Sequence, residues 1–237
     1  MTSRLKTRAA LGVVVAAATL GAGLAHAVGV PGQGTWEATL QPRDINGDTV
    51  TDAFYDTVLN ITWLRNANLN GAMNWSTSNT WANTLVVGGV GGWRLPKVVD
   101  TGPPGCDFSY LGTDCGFNVQ PTTGEMAHLY YLTLGNKAFY DASGIGGQPG
   151  SGLTNTGGFQ NLQGFVYWSG TEYAPDQSNA WGFNTPGGSQ FNLSKSSSSY
   201  ALAVRPGDVA AVPEPQTYAL MLVGIGALTL ALRRRER

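Results

Sequence analysis

Two apolar segments, one at each end, limit the part of the chain that can form a folded domain. Residues 9–24 are apolar, follow three basic residues and precede Ala25-His26-Ala27. This order of basic, apolar and small residues is typical of a secretory signal peptide cleaved after Ala27. We therefore leave residues 1–27 out of the fold and expect the mature chain to begin at Val28.

The second apolar segment, residues 218–232, lies between Pro213-Glu214-Pro215 and a C-terminus with four arginines. As a helix it would be about 22 Å long, short of the ~30 Å hydrocarbon core. Terminal arginines can snorkel to the cytoplasmic interface and relieve this mismatch. The Pro-Glu-Pro motif, short helix and basic end resemble the PEP-CTERM sorting signal of Gram-negative bacteria. The resemblance implies export, transient inner-membrane anchoring and removal of the tail by an exosortase. A plain anchor that stays attached is the alternative.

The segment between these ends is acidic and rich in tryptophan. Residues 28–212 contain seven Lys and Arg against thirteen Asp and Glu, a net charge of −6. A negative surface disfavours nucleic acid and anionic lipid as partners. All seven tryptophans lie in this segment, together with many Gly, Asn, Ser and Thr residues. This composition favours an extracellular fold of short strands, and it also suits recognition of a neutral sugar.

Hydrophobic periodicity predicts both helices and strands. Residues 76–85 form one predicted helix, and a second helix begins at a Thr122/Glu125 capping box and ends at Gly135. Alternation over residues 57–64 predicts a half-buried strand. Four later segments also alternate, and we expect the last three to form an antiparallel meander: residues 165–168, 180–183, 190–193 and 200–204.

An ordered series of short motifs covers most of residues 36–207. The motifs are Asn60-Ile61-Thr62-Trp63-Leu64, a helix with Trp81, Gly92-Trp93-Arg94-Leu95-Pro96, Glu125-Met126, Tyr167-Trp168-Ser169-Gly170-Thr171-Glu172-Tyr173, Ala180-Trp181 and Val204-Arg205-Pro206. This series resembles the Lcl C-terminal domain family, named after a bacterial collagen-like adhesin. The resemblance implies an α+β, C-type-lectin-like fold, with two helices packed on a twisted, mainly antiparallel sheet. It also implies adhesion or glycan contact without established catalysis.

This chain departs from the adhesin in two respects. It has no collagen-like Gly-X-Y stalk, so trimerisation is not carried over. Its negative charge disfavours sulfated glycans, which bind basic surfaces. The expected division of the chain is a signal peptide over 1–27, a lectin-like domain over 28–207, a linker with the sorting motif over 208–217 and a membrane helix with a basic tail over 218–237.

The C-terminal strands and their loops carry the candidate ligand-binding residues. Their aromatic faces and amides could hold a neutral polysaccharide, although most tryptophans are expected in the core. Tyr173, Asp176 and Gln190 are the residues that we expect to be exposed. The remaining candidates are Trp168, Trp181, Asn184 and Asn192.

Asp44, Asn46, Asp48 and Asp52 supply the oxygen ligands that calcium prefers. The loop lacks the glycine position and the final bidentate Glu of an EF-hand, so we favour an Asx-rich turn, with a calcium site as the alternative. No cofactor is expected. The triplets by which lectins of the wider fold bind sugar through calcium do not occur in residues 28–212.

Cys106 and Cys115 form an even pair in an exported chain, which predicts a disulfide. His128 is the only histidine in residues 28–212, and we interpret it as structural. One histidine and a disulfide leave too few ligands for zinc and no positioned base for a catalytic triad.

Arg94 and Arg205 are predicted to form framework ion pairs with Glu125 and Glu172, because a guanidinium can satisfy several oxygens at once. Clamping of a ligand is the alternative role. The sequence therefore predicts a non-enzymatic surface or matrix protein that contacts glycan. The alternatives are a sulfatase-modifying type of enzyme on the same fold and a structural matrix component without a ligand.

Overall fold

The computed structural model describes residues 29–100, 106 and 108–209. Two four-stranded sheets of antiparallel strands and a few short helices make up this part of the chain, which confirms the α+β prediction. The predicted single sheet is therefore divided into two. The predicted signal peptide, the Pro-Glu-Pro motif and the predicted C-terminal membrane helix lie outside the described residues.

The first sheet has the strand order β1-β2-β3-β8 and contains both ends of the described fold. Its strands are β1 (Leu40–Arg43), β2 (Ala53–Asp56), β3 (Ile61–Leu64) and β8 (Val204–Pro206). A short helix, α1 (Trp36–Thr39), leads directly into β1. Because β8 pairs with β3, the C-terminal residues of the domain return to strands formed near its beginning.

The strand predicted over residues 57–64 is only half as long in the structure. Residues 57–60 form a turn, and Asn60 has a left-handed φ of 52°. The buried Asp56 carboxylate accepts hydrogen bonds from the backbone N–H groups of Val58 and Leu59. These amides are therefore unavailable to a strand ladder, and β3 begins at Ile61.

The second sheet has the order β4-β7-β6-β5. Its strands are β4 (Gly116–Phe117), β5 (Val166–Glu172), β6 (Asn179–Asn184) and β7 (Ser189–Ser194). The meander is formed by β5, β6 and β7, so the predicted antiparallel pairing of segments 180–183 and 190–193 is confirmed, whereas the third strand is β5 and not residues 200–204. The free side of β7 is covered by β4, and the final segment crosses to the first sheet. On the way Tyr200 bridges Tyr167 of β5.

The helices match the predicted positions but not all predicted caps. Helix α2 (Trp75–Thr84) begins at Asn74, whose side chain accepts a hydrogen bond from Thr77 N. Helix α3 (Glu125–His128) continues as a π-helix over Leu129–Thr133. The predicted capping box at Thr122 does not form. The N-cap is Gly124, and the Glu125 carboxylate binds Arg94 and Lys97 N instead of the helix end.

Large aromatic side chains dominate the core. The fully buried tryptophans are Trp63, Trp93, Trp168 and Trp181. The Trp63 ring contacts Phe159 edge-on, and Phe159 in turn contacts Phe54. Aromatic edge contacts of this kind add about 0.5–1.5 kcal/mol beyond the burial itself. The tryptophans therefore account for much of the packing between and behind the sheets.

The fold extends slightly beyond its predicted C-terminal boundary. Asp208 binds Arg43 of β1, and Val209 is buried. The predicted linker, which was placed at 208–217, therefore begins no earlier than residue 210. None of the helices in the described part of the chain has the length and apolar character needed to cross a membrane.

Candidate functional site

The predicted ligand-binding residues are not collected in one surface site. Trp168, Trp181 and Gln190 are fully buried, which corrects the expectation that Gln190 is exposed. Trp168 Nε1 donates to the Met73 carbonyl at 2.9 Å, and Gln190 Nε2 donates to the Asp114 carbonyl at 2.6 Å. Both side chains satisfy backbone groups inside the fold. They are framework residues because neighbouring segments cover the faces of their strands.

The other predicted ligand residues stabilise local structure. Tyr173 is half-buried, packs edge-on against Trp181 at 5.5 Å and accepts a hydrogen bond from Cys106 N. Asp176 is exposed, and its Oδ1 accepts hydrogen bonds from Ser178 N and Oγ. These bonds, chiefly that from Ser178 Oγ, lower the pKa of Asp176. Asn184 and Asn192 are both half-buried. Asn184 is the last residue of β6, and Asn192 lies in the middle of β7.

A cluster of five rings forms the most distinctive exposed surface in the described fold. We call it the aromatic surface, and its members are Phe108, Tyr110, Phe117, Phe139 and Tyr140. Phe108, Tyr110 and Phe139 are 53%, 47% and 43% exposed. Clustered exposed apolar side chains, unlike single ones, indicate an interaction site.

The rings of the aromatic surface contact one another in a continuous series. Phe117 lies in the middle, with centroids 5.3 Å from Phe108 and 4.8 Å from Tyr140, both edge-on. Tyr110 stacks on Phe117 at 6.2 Å with an interplanar angle of 21°. Phe139 extends the series through an edge contact with Tyr140 at 5.0 Å. The cluster is therefore one continuous set of contacting rings, of which Phe108, Tyr110 and Phe139 are exposed.

Two loops are joined to hold these rings in place. The predicted disulfide between Cys106 and Cys115 is confirmed, with Cα atoms 5.3 Å apart, and it closes the loop that carries Phe108 and Tyr110. The Asn118 side-chain amide donates to the Tyr110 carbonyl at 2.8 Å and to the Tyr140 carbonyl at 2.9 Å. This bidentate bridge joins the disulfide loop to the loop that follows the π-helix.

Glycine allows the backbone to approach the rings closely. A Cβ at Gly144 would lie 2.8 Å from the Tyr110 ring, and a Cβ at Gly146 would lie 2.8 Å from Phe139 and 2.9 Å from Tyr140. Gly144 also has a φ of 85°, which other residues rarely adopt.

Two exposed aliphatic side chains, Leu111 and Ile145, are neighbours in sequence of the loops that carry the rings. The Asp141 carboxylate lies on the same loop as Ile145 and accepts hydrogen bonds from Ser143 and Ile145.

Strand periodicity could not reveal the aromatic surface, because its rings lie mostly in irregular segments. The available signal was compositional. Phe108, Tyr110, Phe139 and Tyr140 are large apolar residues in Gly- and Asn-rich loops, where no alternation assigns them to a buried face. Their placement around one disulfide loop depends on contacts that are distant in sequence.

The predicted oxygen-ligand loop forms a network of Asx turns. The Asp44 carboxylate accepts from Gly47 N at 2.7 Å and Thr49 N at 2.8 Å, and Asp52 Oδ2 accepts from Ile45 N at 2.8 Å. Asp48 and Asn46 accept from Val50 N and Asp48 N. Backbone N–H groups thus bind oxygens that a cation would need, which favours the turn interpretation. Within the described residues no group of three or more His, Cys, Asp or Glu side chains could hold a metal.

Of the four predicted framework residues, Arg94 and Glu125 pair with each other. Two parallel hydrogen bonds of 2.7 Å join the guanidinium to the carboxylate. Glu172 and Arg205 do not pair with each other. Glu172 pairs with Lys195 at 2.5 Å, and Arg205 Nη1 donates to the Asp208 carbonyl at 3.2 Å. Glu172 lies at the end of β5 in the second sheet, whereas Arg205 lies on β8 in the first, so the two belong to different sheets.

His128 is buried at the end of α3, where Nδ1 lies 3.3 Å from Thr133 Oγ1. Burial lowers its pKa, and this effect exceeds the opposing attraction of Asp56. The neutral form therefore dominates at neutral pH.

A family model described as the PEP-CTERM protein-sorting motif matches residues 211–235. The motif identifies an exported, surface-sorted protein whose processing partner is an exosortase. No curated protein and no solved structure matches the chain. The sorting motif therefore gives the destination of the protein, and the role of the folded domain is argued from its surface.

Proposed function

We propose that this protein is a non-enzymatic surface or matrix protein that contacts neutral extracellular polysaccharide, in adhesion or in a biofilm matrix. The observation that carries the proposal is the aromatic surface, three of whose five rings are exposed, on a protein sorted to the cell exterior. The order of events is inner-membrane anchoring by the C-terminal helix, exosortase processing and release to the surface or matrix.

The chemistry of the cluster favours a neutral sugar polymer over a charged ligand. Pyranose rings carry C–H groups on their faces and hydroxyls at their edges, so they pack on aromatic faces and hydrogen-bond to polar groups at the border. Asp141 and Ser143 supply such groups beside Phe139 and Tyr140. The net charge of −6 over residues 28–212 opposes acidic polymers. The resemblance to the Lcl C-terminal domain family supports glycan contact in general, and the choice of a neutral glycan depends on the aromatic surface and the net charge.

The enzymatic alternative on the same fold would require a reactive cysteine. Cys106 and Cys115 are joined in a disulfide, which supports a binding role over that chemistry. Thiol labelling of the folded, unreduced protein should accordingly detect no free thiol. Stoichiometric labelling would instead favour the enzyme.

The proposal is tested by binding of the exported, processed protein to immobilised neutral polysaccharides and to the exopolysaccharide of its host. We expect saturable binding that is unchanged by calcium or a chelator. The triple variant Phe108→Ala, Tyr110→Ala, Phe139→Ala should bind at least tenfold more weakly, about 1.4 kcal/mol. The control variant Leu69→Ala, Val86→Ala removes exposed apolar side chains outside the aromatic surface and should bind normally.

Two results would contradict the proposal. Absence of saturable binding by the unchanged protein, with self-assembly in solution, would favour a structural matrix component without a ligand. Equal weakening by the triple variant and the control variant would show that general surface apolarity, and not the ring cluster, is responsible.

A further inference from the structure

The last described residues are fixed on the first sheet by a network that we call the exit clamp, made of Arg43, Tyr55, Thr62, Arg205 and Asp208. Arg43 Nε and Nη2 donate to the two Asp208 carboxylate oxygens, both at 2.7 Å. The guanidinium lies over the Tyr55 ring, 5.4 Å from its centroid. Because Arg43 is on β1 and Asp208 follows β8, this ion pair connects the two edge strands of the sheet.

Backbone groups complete the exit clamp. Thr62 Oγ1 donates to the Gly207 carbonyl at 2.7 Å, and Gly207 N donates to the Asn60 carbonyl at 2.9 Å. Arg205 Nη1 donates to the Asp208 carbonyl at 3.2 Å. Val209, the next residue, is buried. The domain therefore holds its chain firmly through Val209 and releases it at one defined point on the first sheet.

The sorting motif begins very close to this point. The matched region starts at residue 211, and Pro213 is the fourth residue after Val209. Four residues span at most about 14 Å. A typical protein contact covers about 800 Å² per partner, which corresponds to a circle of roughly 16 Å radius. An enzyme that binds Pro213-Glu214-Pro215 on the folded protein therefore touches the domain surface around the exit clamp.

We infer that the surface around the exit clamp is a docking surface for the exosortase that processes the tail. The inference depends on the sorting motif and the exit clamp, and not on polysaccharide binding. Exposed uncharged side chains lie on the segments that the exit clamp joins: Val58 and Asn60 on the turn between β2 and β3, and Gln41 on β1. The charges of Arg43 and Asp208 are paired with each other. The half-buried Arg205 guanidinium, which donates to the Asp208 carbonyl, adds one positive charge, so this face fits a neutral or weakly acidic surface of the enzyme.

Val58 offers a direct test, because it is two residues from Asn60, whose carbonyl binds Gly207, and it is 58% exposed. Val86 is 63% exposed on the segment after α2 and is the matched control. Both substitutions to Trp are made in the full-length chain, in a host with the exosortase. Conversion of precursor to processed protein is followed by pulse-chase. We expect Val58→Trp to slow processing at least threefold and Val86→Trp to leave it unchanged.

A flexible insertion separates docking from other effects. About twelve Gly and Ser residues placed after Val209 extend the tether well beyond the contact radius. In this background Val58→Trp should be processed within twofold of the unsubstituted chain. Near-UV circular dichroism of the purified variants checks that each is folded, and Val58→Glu repeats the test with a smaller side chain.

The inference is overturned by either of two results. Processing of Val58→Trp and Val58→Glu at the unsubstituted rate would show that the enzyme makes no use of this face, as expected if it acts before the domain folds. Slow processing that persists after the insertion would assign the effect to something other than contact at the exit.

Discussion

The buried and exposed aromatic residues of this protein differ in what covers them rather than in their chemistry. Trp168 lies on β5 with its ring enclosed and its Nε1 bound to the Met73 carbonyl. Phe139 lies on a loop, contacts Tyr140 edge-on and is 43% exposed. The first ring is held by neighbours from distant segments, whereas the second is held by other rings of the same surface. In this fold, an aromatic side chain therefore stabilises the core where another element packs over it, and it stays available for binding where none does.

The sharpest test of this comparison is Trp168→Ala against Phe139→Ala. Removing a fully buried tryptophan should lower the free energy of unfolding by about 3–5 kcal/mol. Removing Phe139, which is 43% exposed, should lower it by less than about 1 kcal/mol. Urea unfolding followed by tryptophan fluorescence or circular dichroism measures both values. Similar losses for the two variants would refute the division into framework and interaction residues.

The sequence predicted several features because they depend on local signals. The disulfide followed from an even cysteine pair, and α2 followed from the hydrophobic periodicity of residues 76–85. The strand segments around Trp63 and Trp168 were also recognised, although not their full burial. Each of these depends on residues that are close in the chain or on a general property of exported proteins.

What the sequence could not predict depends on long-range competition. Residues 200–204 have the alternation of a meander strand, but β4 pairs with the free side of β7. Tyr200 instead bridges Tyr167 of β5, and Val204 begins β8 of the first sheet. Gln190 looked like a surface amide, but it is buried against the Asp114 carbonyl, which lies 76 residues away in the chain. The aromatic surface similarly needs the disulfide loop and the loop after the π-helix to meet. Hydrophobic periodicity carries no information about contacts between segments that are distant in sequence.

Removing the disulfide should have the next largest effect and should link stability to the aromatic surface. Replacing both Cys106 and Cys115 by Ser opens a loop with a sequence separation of 9. The chain-entropy model gives a loss of about 2.5–3 kcal/mol. Because Phe108 and Tyr110 lie in this loop, polysaccharide binding should weaken even under conditions where the variant is folded. Unchanged binding by the folded variant would show that Asn118 alone orders the rings.

The Arg94–Glu125 pair provides a comparison between framework and surface charges. Both side chains are mostly buried, at 20% and 17% exposure, and the pair is bidentate. Breaking a fully buried pair costs about 3–5 kcal/mol, so Arg94→Met should cost about 2 kcal/mol at this partial exposure. Lys195→Met breaks the more exposed pair with Glu172 and should cost less than about 1 kcal/mol.

A double-mutant cycle with Glu125→Gln tests whether the cost of Arg94→Met comes from this pair. We expect the double variant to be little worse than Arg94→Met alone. Fully additive losses would mean that Arg94 acts through its hydrogen bond to the Leu95 carbonyl rather than through Glu125.

The smallest expected effect is a pH dependence from His128, which belongs to the buried framework. Burial lowers its pKa below the ordinary value of 6.5, so the unfolded chain takes up the proton first as the pH falls. The stabilising contribution of the neutral ring is complete above pH 6.5 and is lost as the pH falls toward and through the folded pKa. His128 is the only histidine of residues 28–212, and ordinary carboxylates titrate lower. The urea midpoint should therefore fall between pH 7.5 and 5.5 in the unchanged protein and remain nearly constant in His128→Gln. If the urea midpoint changes equally with pH in the two proteins, the titrating group is not His128, and the proposed role of its neutral ring in the buried framework is wrong.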